Sequence, residues 1–216
     1  AAGLVEVSNV TASEVSIIAD VGHVINAADS TLNVTANALR LVAGDMIASN
    51  ARHLTTNVDT LSALSQHGLF ITDTDTLTVD RVSVSATHVN ADATTTTITD
   101  GAQSGLVSLA GDGDIILTTV DGSIVINQGL ANPGVSAHGA GNILIAANGV
   151  NQDLTLNADV QSTRGHITLS AADTISLNAN VSTATGGAIN LDAQGGDLVM
   201  AGATIVTATD SSVRLH

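Results

Sequence analysis

Cysteine, lysine, tryptophan and tyrosine are missing from this chain of 216 residues, and phenylalanine and proline occur once each, as Phe70 and Pro133. Without cysteine there is no disulfide framework and no thiolate metal site. Without aromatic rings a core cannot fill the wide gaps between packed sheets or helices. A narrow core of small branched side chains needs no rings, and that is the interior of a solenoid. Positive charge is nearly as scarce. Five arginines (Arg40, Arg52, Arg81, Arg164 and Arg214) stand against 20 acidic residues, for a net charge of −15. Nucleic acid needs clustered cations on its phosphates, so no nucleic-acid partner is expected. Anionic membranes are disfavoured on the same ground. No apolar run reaches the roughly 18 residues of a membrane helix, so no membrane insertion is expected. Residue 1 is Ala and no signal peptide is visible, which reads as a mature product or an excised segment.

What remains is Ala, Val, Ile and Leu among Thr, Ser, Asn, Asp and Gly. Glutamate occurs only at Glu6 and Glu14, so helix formers are few and strand and turn residues dominate. The apolar residues alternate with period two, in pieces three to five residues long. The pieces repeat. Gly105-Leu-Val107-Ser-Leu109, Gly113-Asp-Ile115-Ile-Leu117 and Gly122-Ser-Ile124-Val-Ile126 share one pattern. Gly141-Asn-Ile143-Leu-Ile145, Gly165-His-Ile167-Thr-Leu169 and Gly187-Ala-Ile189-Asn-Leu191 continue it, and Ser211-Ser-Val213-Arg-Leu215 closes it.

The starts Ile143, Ile167, Ile189 and Val213 are 24, 22 and 24 residues apart. Each interval holds a second apolar pair (Leu154/Leu156, Ile175/Leu177, Leu198/Met200) and then a lone apolar residue (Val160, Val181, Ile205). Three inward pieces per coil describe an all-β, right-handed parallel β-helix, or β-solenoid, with three short strands per coil. Stacking one coil about 4.8 Å above another pairs every strand and buries the inward side chains as ladders. Glycines at the strand starts, Gly105, Gly122, Gly141, Gly165 and Gly187, are expected to let the chain turn without a Cβ clash. Asn157 and Asn178 hold matching positions in Leu156-Asn-Ala-Asp-Val160 and Leu177-Asn-Ala-Asn-Val181, where amides can bond along the axis.

Residues 1–104 are less regular than 105–216, but the whole of 1–216 reads as one solenoid domain. Val15/Ile17 and Leu39/Leu41 are again 24 apart, and Leu32/Val34, Leu69/Ile71, Leu77/Val79 and Val82/Val84 are further strand candidates. Arg52 to Gln66 alternates least and reads as a bulged coil or short loop. Residues 128–140, around Pro133, read as a protruding loop. At 22–24 residues per coil the chain holds about nine coils, a rod of about 45 Å.

The Gly-x-Ile-x-Leu coils from Gly105 onward resemble the filamentous haemagglutinin-type repeats of large bacterial exoproteins and giant surface adhesins. So does the stretch from Asn33 to Asp80, with Leu39-Arg-Leu41-Val-Ala-Gly44-Asp-Met-Ile47 and Gly68-Leu-Phe-Ile71-Thr-Asp-Thr-Asp-Thr-Leu77-Thr-Val79. The resemblance covers most of the chain as a style of repeat. It implies a right-handed β-helix, export and a role at the cell surface.

Polysaccharide lyases and hydrolases also use parallel β-helices, so a glycan-binding or glycan-cleaving module is the alternative to a structural one. Its site needs clustered carboxylates and a cation to stabilise developing charge. Asp73 and Asp75, read as sharing an outward strand face beside Arg81, are the first candidates. Asp112 and Asp114 are the second, and Gly111-Asp-Gly-Asp114 and Gly195-Gly-Asp197 faintly resemble calcium-binding β-roll repeats. Those repeats need a nine-residue period that the 22–24-residue coils lack. Turn-forming, solvated aspartates are the simpler reading of all four. No cofactor is expected, Ca²⁺ being the only candidate. Seven histidines are scattered without a close pair at metal-ligand spacing, so no metal site is expected from them. The sequons at Asn9, Asn33 and Asn180 read as incidental. Thr72/Thr74/Thr76 and Thr94–Thr97 cluster in single stretches, whereas an ice-binding face needs threonines at one position in many coils.

Apolar alternation begins by Leu4, Val5 and Val7 and still runs at Val213 and Leu215. A solenoid without polar caps exposes core and strand edges at its ends. Leu4, Val5, Val7, Val213 and Leu215 are therefore the expected end-to-end interface, toward a copy of the chain or toward further turns of a longer solenoid. A host or matrix glycan or protein is a further candidate partner. The functional expectation is an extracellular, non-catalytic structural protein. It is either the shaft of a surface adhesin or the head-to-tail subunit of a filament or matrix.

Overall fold

The computed structural model describes residues 3–28, 30–130 and 133–216. Most of its strands are short, alternate between inward and outward side chains, and pair in parallel with the strand one turn before and one turn after. The chain is a parallel β-solenoid. Its first face is crossed nine times, at Val5, Val24, Ile47, Leu69, Ile115, Ile143, Ile167, Ile189 and Val213, each paired to the next. The second face stacks Leu77, Ile124, Leu154, Ile175 and Leu198. The third stacks Leu106, Val135, Val160, Val181 and Val206. The eight steps between nine first-face passes give an axial length of about 40 Å at the usual strand spacing.

In-register stacking follows from chemistry at each step. A strand inside the stack satisfies its backbone groups on both neighbours, and like side chains meet, as in the buried ladder Leu117, Ile145, Leu169, Leu191. Burying each such side chain contributes about 1.5–3 kcal/mol. The glycines answer to this spacing rather than to unusual dihedral angles. A Cβ on Gly141, Gly165 or Gly187 would stand 2.3, 1.9 or 2.1 Å from the carbonyl oxygen of Gly113, Gly141 or Gly165. Gly122 is held against the backbone of Asp75 in the same way. Gly105 differs: its φ is +78°, and it also lies close to the Gly134 carbonyl.

Several expectations need correction. In the first repeat copy Leu106, not Val107 and Leu109, turns inward, and Leu109 is exposed. In the last turn Val206 stacks on Val181, while Ile205 is 60% exposed. Both are slips of one residue at an apolar pair, where either neighbour offers a plausible inward side chain. Leu32 lies outside the strand that Val34 begins. Arg52 to Gln66 holds no bulged coil: Leu54–Ser65 is a 12-residue strand that bends from one face to the next. It pairs with Leu69–Asp73 through Leu54–Thr56 and with Leu77–Val79 through Thr60–Leu61. The bulge is instead the preceding excursion at 48–53. The loop expected at 128–140 is narrower, because Val135–Ala137 is a third-face strand; Ala131 and Asn132 within that loop lie outside the described residues.

The largest departure is at 82–103. Val82/Val84 do not start a coil. The chain leaves the second face after Val79, makes an antiparallel hairpin of Ser85–Val89 and Thr95–Thr99, and returns at Gly105 to the third face. Thr94–Thr97 therefore lie on the hairpin and not on a coil.

Candidate functional site

The early turns carry polar groups inside. Asn33 is fully buried; its Nδ2 donates to the Val7 carbonyl (2.8 Å) and to Asn26 Oδ1 (2.9 Å), and its Oδ1 accepts from the Thr55 amide (2.8 Å). The Asn33 sequon is thus closed to glycosylation in the folded chain. Asp73 is also fully buried. Its Oδ2 accepts from Thr56 Oγ1 (2.6 Å) and the Val58 amide (3.1 Å), and its Oδ1 accepts from the Asp75 amide (3.0 Å). Burial pushes the Asp73 carboxyl up to about 6, against the pull of these hydrogen bonds.

Asp73 is a further correction to the sequence reading. It faces the core while Asp75 is exposed and accepts from the Thr76 amide (2.7 Å). The strand ends at Asp73, so alternation does not carry the two carboxylates onto one face. A groove combining Asp73, Asp75 and Arg81 does not form.

Beside this knot the 48–53 excursion folds over the first face. The His53 ring lies against Phe70, centroids 5.9 Å apart and planes tilted by 45°, and helps to bury that outward ring; its Nδ1 lies 2.8 Å from Thr72 Oγ1. Burial pulls the His53 pKa down. Ile25, Ala48, Ala51 and Arg52 line an adjoining hollow of about 320 Å³.

Outside, polar side chains link successive turns. Asp112 Oδ1 accepts from the Ala140 amide and Asp114 Oδ1 from the Asn142 amide, both at 2.8 Å. Asn142 Oδ1 accepts from the His166 amide (3.0 Å), and His166 Nδ1 accepts from the Ala188 amide (3.0 Å). Asp112 also stands 3.8 Å from Arg164. Asp112 and Asp114 thus hold the next turn in place. A second line joins Asn178 to Asn157, Asn157 to Asn127, and Asn127 to Asp80, each bond 2.9 Å. The Asn157–Asn178 pair was legible from the repeat; its extension to Asn127 and Asp80 was not, because the loop before Val135 breaks the spacing.

Coil stacking also assembles a histidine cluster that sequence spacing hides. His23 Nε2 lies 3.2 Å from Asp45 Oδ2, and His67 Nδ1 lies 2.8 Å from Asp45 Oδ1, one side chain from each of three successive turns. Among the described residues no group of three His, Cys, Asp or Glu is placed to hold a metal ion.

Of the expected end residues, Val7 is buried and Val5 half-buried in the first turn, while Leu4 is exposed. In the last turn Val213 and Leu215 are 41% and 51% exposed, paired on one side only, to Ile189 and Leu191. The two ends of the described solenoid are therefore unlike, the last turn being the more open.

The hairpin is the most conspicuous surface feature. Arg40 Nε donates to the Gly101 carbonyl (3.2 Å) and Gln103 Nε2 to the Leu41 carbonyl (3.0 Å), tying its base to the second turn. Farther out, Val84, Ala86 and Ile98 face Val10, Ala12 and Val15 of the first turn across a crevice of about 310 Å³. Both hairpin strands are exposed throughout. No family model, no curated protein and no solved structure matches this chain.

Proposed function

We propose that this chain is a non-catalytic structural rod: the shaft of a bacterial surface adhesin, or the head-to-tail subunit of an extracellular filament or matrix. The observation that carries the reading is the unbroken first-face column of nine passes, joined outside by side-chain lines that span several turns. Successive turns are bonded to one another through backbone, aliphatic ladder and polar side chains. Load applied along such a rod is shared by many parallel bonds. The net charge of −15 keeps rods apart from one another in solution. The repeat style, similar to that of bacterial exoproteins, supports an extracellular setting. The exposed apolar side chains of the last turn suit a further solenoid turn stacked upon them, from this chain's own continuation or from a copy.

Electron microscopy of the purified chain over a concentration series tests this. Fibres with an axial repeat of about 43 Å, nine strand spacings counting the step onto the next copy, identify a stacking subunit. Short separate particles of that length at all concentrations identify a shaft segment. Specific binding or cleavage of an oligosaccharide in a glycan panel would overturn the non-catalytic reading in favour of a glycan module.

A further inference from the structure

Every other strand in this molecule lies within a stack, whereas the hairpin stands on the outside with two long edges of its own. Which backbone groups those edges offer follows from register. The Asn90 amide donates to the Thr94 carbonyl (2.8 Å) and the Asp100 amide to the Val84 carbonyl (2.9 Å). With Ile98 opposite Ala86 and Thr96 opposite His88, the even-numbered residues aim N–H and C=O at each other. The odd-numbered ones, Ser85, Thr87 and Val89 on one strand and Thr95, Thr97 and Thr99 on the other, aim theirs outward.

Proteins normally protect such edges with charge, proline, a bulge or a covering loop. This hairpin has none of them within its strands. From Val82 to Thr99 the only formally charged residue is Asp92, at the tip, in a chain of net charge −15. The returning strand, Thr95–Thr99, is wholly β-branched, the composition with the strongest strand preference. Copies that repel one another elsewhere therefore meet least repulsion here. An antiparallel edge is also complementary to itself. A twofold axis at Thr97 sets Thr97 opposite its equivalent and Thr95 opposite Thr99, so that all three outward N–H groups find carbonyls.

We propose that the Thr95–Thr99 edge is a lateral joint. It pairs antiparallel with the same edge of a second copy, making a four-stranded sheet that holds two solenoids side by side. This goes beyond the rod reading, which concerns contacts along the axis. Two five-residue strands bury less than the roughly 1,200 Å² of a stable interface, so a single joint is weak and reversible. Many joints along neighbouring rods reinforce one another.

Sedimentation equilibrium on the whole chain, from micromolar to millimolar concentration, tests the joint. The expected result is a concentration-dependent dimer. The Thr97 N–H points away from its hairpin partner, so Thr97→Pro removes no bond within the hairpin and closes the edge. Thr97→Lys keeps the strand and sets two like charges at the twofold axis. Both substitutions should weaken the dimer at least about tenfold, whereas Leu215→Asp, in the last turn, should leave it unchanged. Slow exchange of the Asn90 and Asp100 amides reports that the hairpin still stands in each variant. A monomer at every concentration overturns the proposal, as does a dimer indifferent to both Thr97 substitutions. Association lost only in Leu215→Asp also overturns it while leaving end-on stacking intact.

Discussion

Asp73 sits where the alternation of Leu69 and Ile71 puts it, inside. The sequence signal was present, and it was overridden by the high cost of placing a carboxylate in a core. Three donors aimed at its oxygens offset part of that cost. Its folded pKa of about 6 lies above the 3.8 of a free aspartate, so the folded state holds the proton more tightly than the unfolded one. Stability is therefore unaffected by this group below pH 3.8, falls as pH rises from there to about 6, and stays lowered above it. The full penalty is about 3 kcal/mol at neutral pH. Asp73→Asn sets an amide toward the Asp75 amide, an offset that does not vary with pH. The stability difference between variant and wild type, from urea unfolding, should thus shift in the variant's favour between pH 4 and pH 7. A difference flat in pH would mean that Asp73 is ionised throughout. The glycines give a second test at this scale. Gly165→Ala, whose Cβ would stand 1.9 Å from a carbonyl oxygen, should cost about 3 kcal/mol in the same assay. Gly202→Ala, with nothing within 4 Å, should stay within about 0.5 kcal/mol.

At the scale of elements, the regular coils were legible because Gly-x-Ile-x-Leu announces turn and inward pair together. Where two apolar residues adjoin, as at Leu106-Val107 and Ile205-Val206, either register fills the core, and the alternation alone does not decide between them. The hairpin escaped for a different reason. Its Thr, Val and Ile strands have the composition of the coil strands, and period two does not distinguish parallel from antiparallel pairing. Hydrogen exchange should separate the two kinds of element. The outward amides of Thr87 and Thr97 should exchange at least about a thousandfold faster than the stacked amides of Ile143 and Ile167 in dilute solution. The amide line is a third element, and an exposed one. Asn157→Ala removes its bonds to both Asn127 and Asn178 and should cost about 1 kcal/mol of unfolding free energy.

At the scale of the whole molecule, composition alone pointed to a slender aliphatic core, and nine first-face passes bear that out. What composition could not place were contacts between residues 22 apart, such as His23, Asp45 and His67, since these depend on turn lengths that vary along the chain. From Ser104 onward, the side-chain links to backbone amides of a neighbouring turn share one sense. Asp112, Asp114, Asn142, Asp153 and Asp159 each offer a side-chain oxygen to an amide of the following turn, and Asn180 offers one to Ile205. A finished turn therefore presents both an open strand edge and acceptors already positioned for its successor. For a chain folding from its amino-terminal end, each new turn would find in the one before it a template built from strand edge and side-chain acceptors together.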